Sequence, residues 1–203
     1  MGTVVKTWQD VPGWFDYMDL YNQAVDEGKD GDTFVEVGSF LGKSASYLAG
    51  RIQASGKAIK LICVDNWAHP DYPGWWNNVK NWVPPPCPLP TDDLLGKEFP
   101  EAFAHVINTL GYADIVSLMK LPSVEAAACF GDKSLAFVFI DADHLYEGIR
   151  DDIAAWRDKV KFGGVLSGHD YRVQMWPGVE RAVDEQFSGS VEHRNPNSWF
   201  VRM

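Results

Sequence analysis

The sequence has little that would tie it to a membrane, to nucleic acid or to an oxidising compartment. Its 203 residues include only three cysteines, Cys63, Cys87 and Cys129, widely spaced and without a C-x-x-C pair. That excludes a disulfide framework and fits a reducing compartment. No apolar run approaches the length of a transmembrane helix. The first residues, MGTVVKTWQDVPGW, lack the apolar stretch of a signal peptide. Lys6 stands where myristoylation of Gly2 would want Ser or Thr. Basic residues are outnumbered 18 to 28, for a formal charge of −10. That balance argues against nucleic acid or an anionic membrane surface as the main partner. Repeats and low-complexity segments are absent. The expectation is a soluble, cytoplasmic protein built as a single domain over residues 1–203, with a small molecule as its partner.

What is present is apolar, aromatic and rhythmic. Apolar residues make up 46% of the chain, enough for a packed core. Apolar spacing predicts an amphipathic N-terminal helix over about 13–27. Short apolar strands are expected at 32–38, 59–65, 113–120, 134–141 and 163–170. Helices are expected at 41–52, 98–111, 145–160 and 177–187, with a short one near 123–130 and a hairpin at 190–202. Strands buried on both faces and alternating with helices imply an α/β fold with a mostly parallel sheet. In such sheets ligands bind at the carboxyl ends of the strands. Those ends carry Glu36 and Gly38, Asp65, Lys120 with Ser123, Asp141 with Asp143 and His144, and His169 with Asp170. One segment, 66–97, breaks the rhythm. Its Trp67, Trp75, Trp76 and Trp82 suggest an ordered lid or insertion shaping an acceptor pocket, or an oligomer contact. The Trp8–Trp14 region is a second candidate contact for a homo-oligomer.

The turn after the first strand reads EVGSFLGKS, with Glu36, Gly38 and Gly42 spaced E-x-G-x-x-x-G. Phe40 stands where a dinucleotide fold would place its middle glycine, so a pyrophosphate finds a poor cradle. A ligand with a carboxylate and an amine suits the loop better. Its amides can face the carboxylate, and Glu36 can face the cation. Asp65, ending the second strand, is placed to accept hydrogen bonds from ribose hydroxyls. Alternatively it is only a loop or capping carboxylate.

At this point the chain resembles a class I S-adenosylmethionine-dependent methyltransferase. The stretches IDADHLYEGIRDDIAAWRDKVKFGGVLSGHDY (140–171) and PGVERAVDEQF (177–187) narrow the resemblance to methyltransferase family 24. It implies a Rossmann-like seven-stranded sheet in the order 3-2-1-4-5-7-6. It also implies that Glu36, Gly38 and the 39–44 loop, with Ser39, Gly42 and Ser44, hold the methionine part of S-adenosylmethionine. Asp65 would hold the ribose and Ser123 would contact adenine, also serving as a helix cap. Asp141 would border both cofactor and metal.

The acids ending the fourth and fifth strands pose a separate question. Asp141 and Asp143 would share a cavity if the strand geometry persisted. A parallel neighbour would bring His169 and Asp170 beside them. Clustered carboxylates need a cation or a proton. The resemblance, through its metal-dependent members, implies Asp141, His169 and Asp170 as the ligands, for Mg²⁺ or another divalent cation. Such an ion would activate the hydroxyl of a small acceptor, sugar or aromatic-like, for in-line methyl transfer. Asp143 or His144 would take the proton. Against this stand plain roles: Asp143 or His144 capping the following helix, and Asp170 pairing with Arg172 or Arg181. His105 reads as partly buried, and the charges around Trp156 as a solvated helix face. The competing function is a non-catalytic binding module for S-adenosylmethionine or a nucleotide, using the tryptophan segment to hold a partner.

Overall fold

The computed structural model describes residues 2–68, 88–193 and 197–203. Most of the tryptophan-rich segment, with Trp75, Trp76, Trp82 and Cys87, lies outside the described residues. The strands are β1 (Thr33–Val37), β2 (Lys60–Asp65), β3 (Val116–Lys120), β4 (Leu135–Ile140), β5 (Val160–Gly168), β6 (Glu192–His193) and β7 (Trp199–Arg202). They form one sheet in the order β3-β2-β1-β4-β5-β7-β6. The first five are parallel, and β7 runs antiparallel to both neighbours. Order and hairpin are both as expected from the sequence.

The helices are α1 (Met18–Glu27), α2 (Lys43–Ser55), α3 (Phe99–Thr109), α4 (Ser123–Ala127), α5 (Tyr146–Arg157) and α6 (Pro177–Phe187). Alternate strand residues point to opposite faces, so the sheet has two cores. On one face, Phe34, Phe137 and Phe139 pack with Tyr21, Leu48 and Phe103 from α1, α2 and α3. On the other, Val35, Val138 and Leu166 pack with Ala126, Ile153, Trp156 and Val183 from α4, α5 and α6. Each fully buried Val, Leu, Ile or Phe among them contributes roughly 1.5–3 kcal/mol. Covering both faces leaves the carboxyl edge of the sheet as the place for chemistry.

Two boundaries differ from the expected ones in ways that matter there. The N-terminal helix starts at Met18, not near 13. Gly13 has φ +139°, which breaks any helix at that point. Residues 11–17 instead run as a non-helical strap across the carboxyl edge, held by aromatic packing. Phe15 meets Trp8, Tyr17 and Tyr47 edge-on or tilted, and Tyr17 lies 4.3 Å from Phe139 between ring centroids. The fifth strand ends at Gly168 rather than 170. His169 and Asp170 therefore stand beyond the ladder, Asp170 in a left-handed conformation (φ +58°) that aspartate tolerates better than most residues.

Candidate active site

The glycine turn is fixed first by backbone sterics. A Cβ at Gly38, which has φ +89°, would overlap the carbonyl oxygen of Asp141. The close approach comes from both sides: the Gly38 amide donates to Val64 and the Asp141 amide to Val37, each at 2.8 Å. Gly38 thus lets β1 meet the end of β4. Gly42 (φ +86°) is the N-cap of α2, and no side chain caps that helix. Its first-turn N–H groups suit an anion.

Glu36 is buried on the α1 side of β1. The Tyr21 hydroxyl donates to its Oε1 at 2.6 Å, and Cys63 Sγ lies 3.9 Å from Oε2. Burial pushes the carboxyl pKa up, and the hydroxyls of Tyr21, Ser44 and Ser39 partly offset this by favouring the anion. Asp65 is tied just as closely. Its Oδ2 accepts from the Phe40 amide at 2.9 Å and its Oδ1 from the Trp67 amide at 2.8 Å. Burial raises this pKa too, against those backbone donors. Each oxygen retains a lone pair for another donor. Phe40 itself has φ +46°. It is held there by the bond to Asp65, by the Trp67 indole donating to its carbonyl at 2.8 Å, and by packing on Phe99. Trp67 is buried against Phe103, so it serves this loop rather than an acceptor surface.

Ser123 is the first residue of α4, and Pro122 holds the N-cap position, so Ser123 does not cap the helix. The Trp156 indole donates to the Ser123 hydroxyl at 2.9 Å. Burial drives the pKa of Asp152, nearby on the same helix face as Trp156, up to about 6. Asp152 is only 5% exposed, so this part of α5 is not the solvated face expected from its charges. The signal was present: Ile149, Asp152, Ile153 and Trp156 share one helical stripe.

At the ends of β4 and β5, ligand atoms of Asp141, His144 and Asp170 lie within 4.8 Å of one another. His144 Nε2 is 2.8 Å from Asp170 Oδ2 and 3.6 Å from Asp141 Oδ1. His169 stands beside this set. Its Nε2 pairs with Asp16 at 2.9 Å, while its Nδ1 lies 3.5 Å from Asp170 and 4.0 Å from Asp141. The arginines offered as partners for Asp170 go elsewhere, Arg172 to Glu180 and Arg181 to Glu185. Burial alone would lower both imidazole pKa values. The surrounding carboxylates reverse that and hold each near 10: Asp141 and Asp170 for His144, Asp16 and Asp170 for His169. Burial opposes ionisation of Asp170, but the two imidazoles hold its carboxyl well below the usual range.

Asp143 is placed apart from these three. The strand ends at Ile140, so its alternation does not carry through to Asp143. The Asp143 carboxylate is exposed and accepts the Leu145 amide at 2.8 Å, shaping the turn into α5. His105, half-exposed, pairs with Asp93 at 2.8 Å, far along the chain from the cluster.

Two residues of the strap complete the edge, and both were hidden inside the expected N-terminal helix. The Tyr17 hydroxyl donates to Asp141 Oδ2 at 3.4 Å, and Asp16 holds His169. Trp8 packs within the chain on Phe15 and Tyr47, whereas Trp14 is half exposed. On the outer side, Trp176 stacks on His144 at 4.7 Å, beside the exposed side chains of Leu145 and Met175. A groove of about 360 Å³ lies at the opposite end of the sheet. Four of its charged residues pair with each other, Lys161 with Asp32 and Arg202 with Glu27. No helix among the described residues is long and apolar enough to cross a membrane.

Comparison with solved structures shows the same fold. The chain superposes on the O-methyltransferase NovP with a TM-score of 0.64 at 17% identity, covering 91% of this chain and 78% of that one. The calicheamicin methyltransferase CalS11 gives 0.63 at 16% identity, with coverage of 91% and 76%. Precorrin 8w decarboxylase from Methanobacterium thermoautotrophicum gives 0.60 at 14% identity, with coverage of 98% and 100%. No curated protein is significantly similar to the chain. Residues 35–171 match the methyltransferase domain of family 24. That span takes in the glycine turn, Asp65, Ser123 and the whole Asp141–His144–Asp170 cluster, and on this match the chain belongs to methyltransferase family 24, as a class I S-adenosylmethionine-dependent methyltransferase.

Proposed function

We propose that the protein methylates a hydroxyl of a small sugar-like or aromatic acceptor, with a divalent cation held by Asp141, His144 and Asp170. The convergence of those three residues beside the glycine turn carries this reading. The names of two structural neighbours, an O-methyltransferase and a calicheamicin methyltransferase, support the same reaction class.

The residues present suit both groups. Glu36 is held by neutral donors, so its charge stays available to a cationic ligand. The uncapped start of α2 suits a carboxylate. Asp65 lies one strand out from Gly38 and can accept from a ribose. Ser123, past the end of β3, then lies further out on the side where the base belongs. Bound there, S-adenosylmethionine supplies a methyl group on a sulfonium. Two carboxylates and an imidazole form a donor set for Mg²⁺ or a similar ion, and binding it would release the proton His144 carries.

Asp143 is the base in this scheme. As a ligand His144 would give its free nitrogen lone pair to the cation and keep the other ring proton, so it would have no lone pair with which to take a proton, which sets it aside as the base. Asp143 keeps one carboxylate oxygen beyond its bond to Leu145. His169, locked to Asp16, places a fixed positive charge beside Asp170 rather than a ligand. Trp176, Leu145 and Met175 offer an apolar rim on which an acceptor ring can rest.

Calorimetry with S-adenosylhomocysteine tests the cofactor, and absence of binding at millimolar ligand would refute this reading. The cation is tested by chelation: turnover unchanged by chelator and by Asp141→Asn removes it from the mechanism.

A further inference from the structure

Two buried tyrosines at the start of α1 each aim a hydroxyl at a carboxylate of the sheet edge. Tyr21 donates to Glu36 Oε1 at 2.6 Å, and Tyr17, at the N-cap, donates to Asp141 Oδ2 at 3.4 Å. Four residues apart, they lie on one side of the helix, with their rings edge-on at 5.1 Å. The two carboxylates differ in their need. Glu36 is 1% exposed and has to find its donors inside the protein. Asp141 is 22% exposed, so water could serve it as well as a hydroxyl does.

What the Tyr17 hydroxyl adds is a direction. The last torsion of an aspartate is soft, so a carboxylate bonded only to water turns readily. With Tyr17 on Oδ2, the other oxygen is turned into the cluster: Oδ1 lies 3.6 Å from His144 Nε2 and 4.0 Å from His169 Nδ1. Tyr17 cannot follow if the carboxylate turns. Its ring is wedged between Phe139 at 4.3 Å, Phe15 at 4.8 Å and the His169 ring at 5.0 Å. A donor fixed in this way on one oxygen fixes the other as the ligand atom.

We propose that Tyr17 is a positioning residue for the cation: its hydroxyl holds Asp141 with Oδ1 presented to the cluster. The inference rests on a cation being held by Asp141, His144 and Asp170. Tyr17, 2% exposed, acts on it only through Asp141. Donors to a ligating carboxylate are typically worth about 10–100-fold in metal affinity, and a bond of 3.4 Å belongs at the lower end of that range.

The test is calorimetry of the full chain with Mn²⁺, which suits the same carboxylate oxygens as Mg²⁺. Tyr17→Phe keeps the ring and removes only the hydroxyl, and should weaken Mn²⁺ binding about tenfold. Tyr21→Phe is the control, the same change one turn away in the same aromatic cluster, and should leave Mn²⁺ affinity within about twofold. Thermal melts in chelator should rank the two variants the other way. Tyr21→Phe takes a donor from a carboxylate that water cannot reach, whereas Asp141 can turn to water when Tyr17 is changed. A merely structural role would make cation affinity follow the melting order. Wild-type Mn²⁺ affinity retained in Tyr17→Phe overturns the inference, as does an equal loss in Tyr21→Phe. Absence of Mn²⁺ binding by the wild-type protein at millimolar concentration refutes instead the cation reading on which the inference rests.

Discussion

The carboxyl edge of the sheet has two halves that treat their carboxylates in opposite ways. Around the glycine turn, Glu36 and Asp65 are held by neutral donors, a tyrosine hydroxyl and backbone amides. At the ends of β4 and β5, Asp141 and Asp170 face imidazoles. Neutral donors fix a carboxylate without cancelling its charge. Burial raises the pKa of Glu36 and Asp65, the donors work against that, and a cationic ligand would hold both ionised. Imidazoles do cancel the charge. They hold Asp170 ionised and stay protonated themselves, so that half is compensated until something displaces a proton. The lesson is that one row of acids can serve two chemistries, set by the neighbours each acid is given.

The largest effect should come where the two halves touch. Gly38→Ala places a methyl group on the Asp141 carbonyl and forces φ +89° on a residue that resists it. Denaturant unfolding should show a loss of roughly 4 kcal/mol, or no folded protein. If the loss is under about 1 kcal/mol, the halves are not held together in this way.

The next prediction separates the halves by pH. Both histidines are raised above their unfolded values, to about 10. Their stabilisation is therefore complete below about pH 6.5 and is lost as pH rises through 10. Thermal melts of chelator-treated protein should fall steadily from pH 7 to 10. His144→Gln combined with His169→Gln should flatten that slope.

The halves should also split binding from turnover. Asp141→Asn should lower methyl transfer about 100-fold while leaving S-adenosylhomocysteine affinity within about threefold. Glu36→Gln should do the reverse in kind, weakening S-adenosylhomocysteine about tenfold. Parallel losses of both quantities in both variants would erase the distinction.

The smallest effect concerns Asp152, a third treatment in which a carboxylate is buried and only weakly compensated. Its pKa is raised to about 6, so its favourable contribution exists at acid pH and is lost as pH rises through that value. Asp152→Asn should raise stability by about 2 kcal/mol at pH 8, and the gain should vanish near pH 4. A destabilised variant at pH 8 would mean that the neighbours of Asp152 hold its carboxylate ionised against its burial.

Much of this was legible in the chain because it depends on local pattern. Alternation of apolar strands and helices dictates the parallel sheet, and the end of each strand can be counted off the sequence. The residues at the edge were therefore found. Their partners were not. Segment 13–17 carries the apolar spacing of a helix, yet Gly13 breaks it, and Phe15 and Tyr17 gain more from the aromatic cluster at the sheet edge. That placed Asp16 and Tyr17 beside residues about 125 to 155 positions away. The charges around Asp152 suggest a solvated helix face, but its place on the stripe of Ile149, Ile153 and Trp156 buries it.

The same distinction decides the cluster itself. The sequence alone determined which acids and histidines stand at the ends of β4 and β5, because strand endings are set by local apolar runs. It did not determine which of them converge. The strand stops at Ile140, and Asp143 turns to meet the Leu145 amide. Asp170 takes a left-handed conformation, and Asp16 draws off one nitrogen of His169. His144 then comes within 4.8 Å of ligand atoms of both Asp141 and Asp170, while His169 stands beside them with Nδ1 3.5 Å from Asp170. Only the tertiary structure could decide this, because the direction of a side chain past the end of a strand is set by contacts from elements distant in sequence.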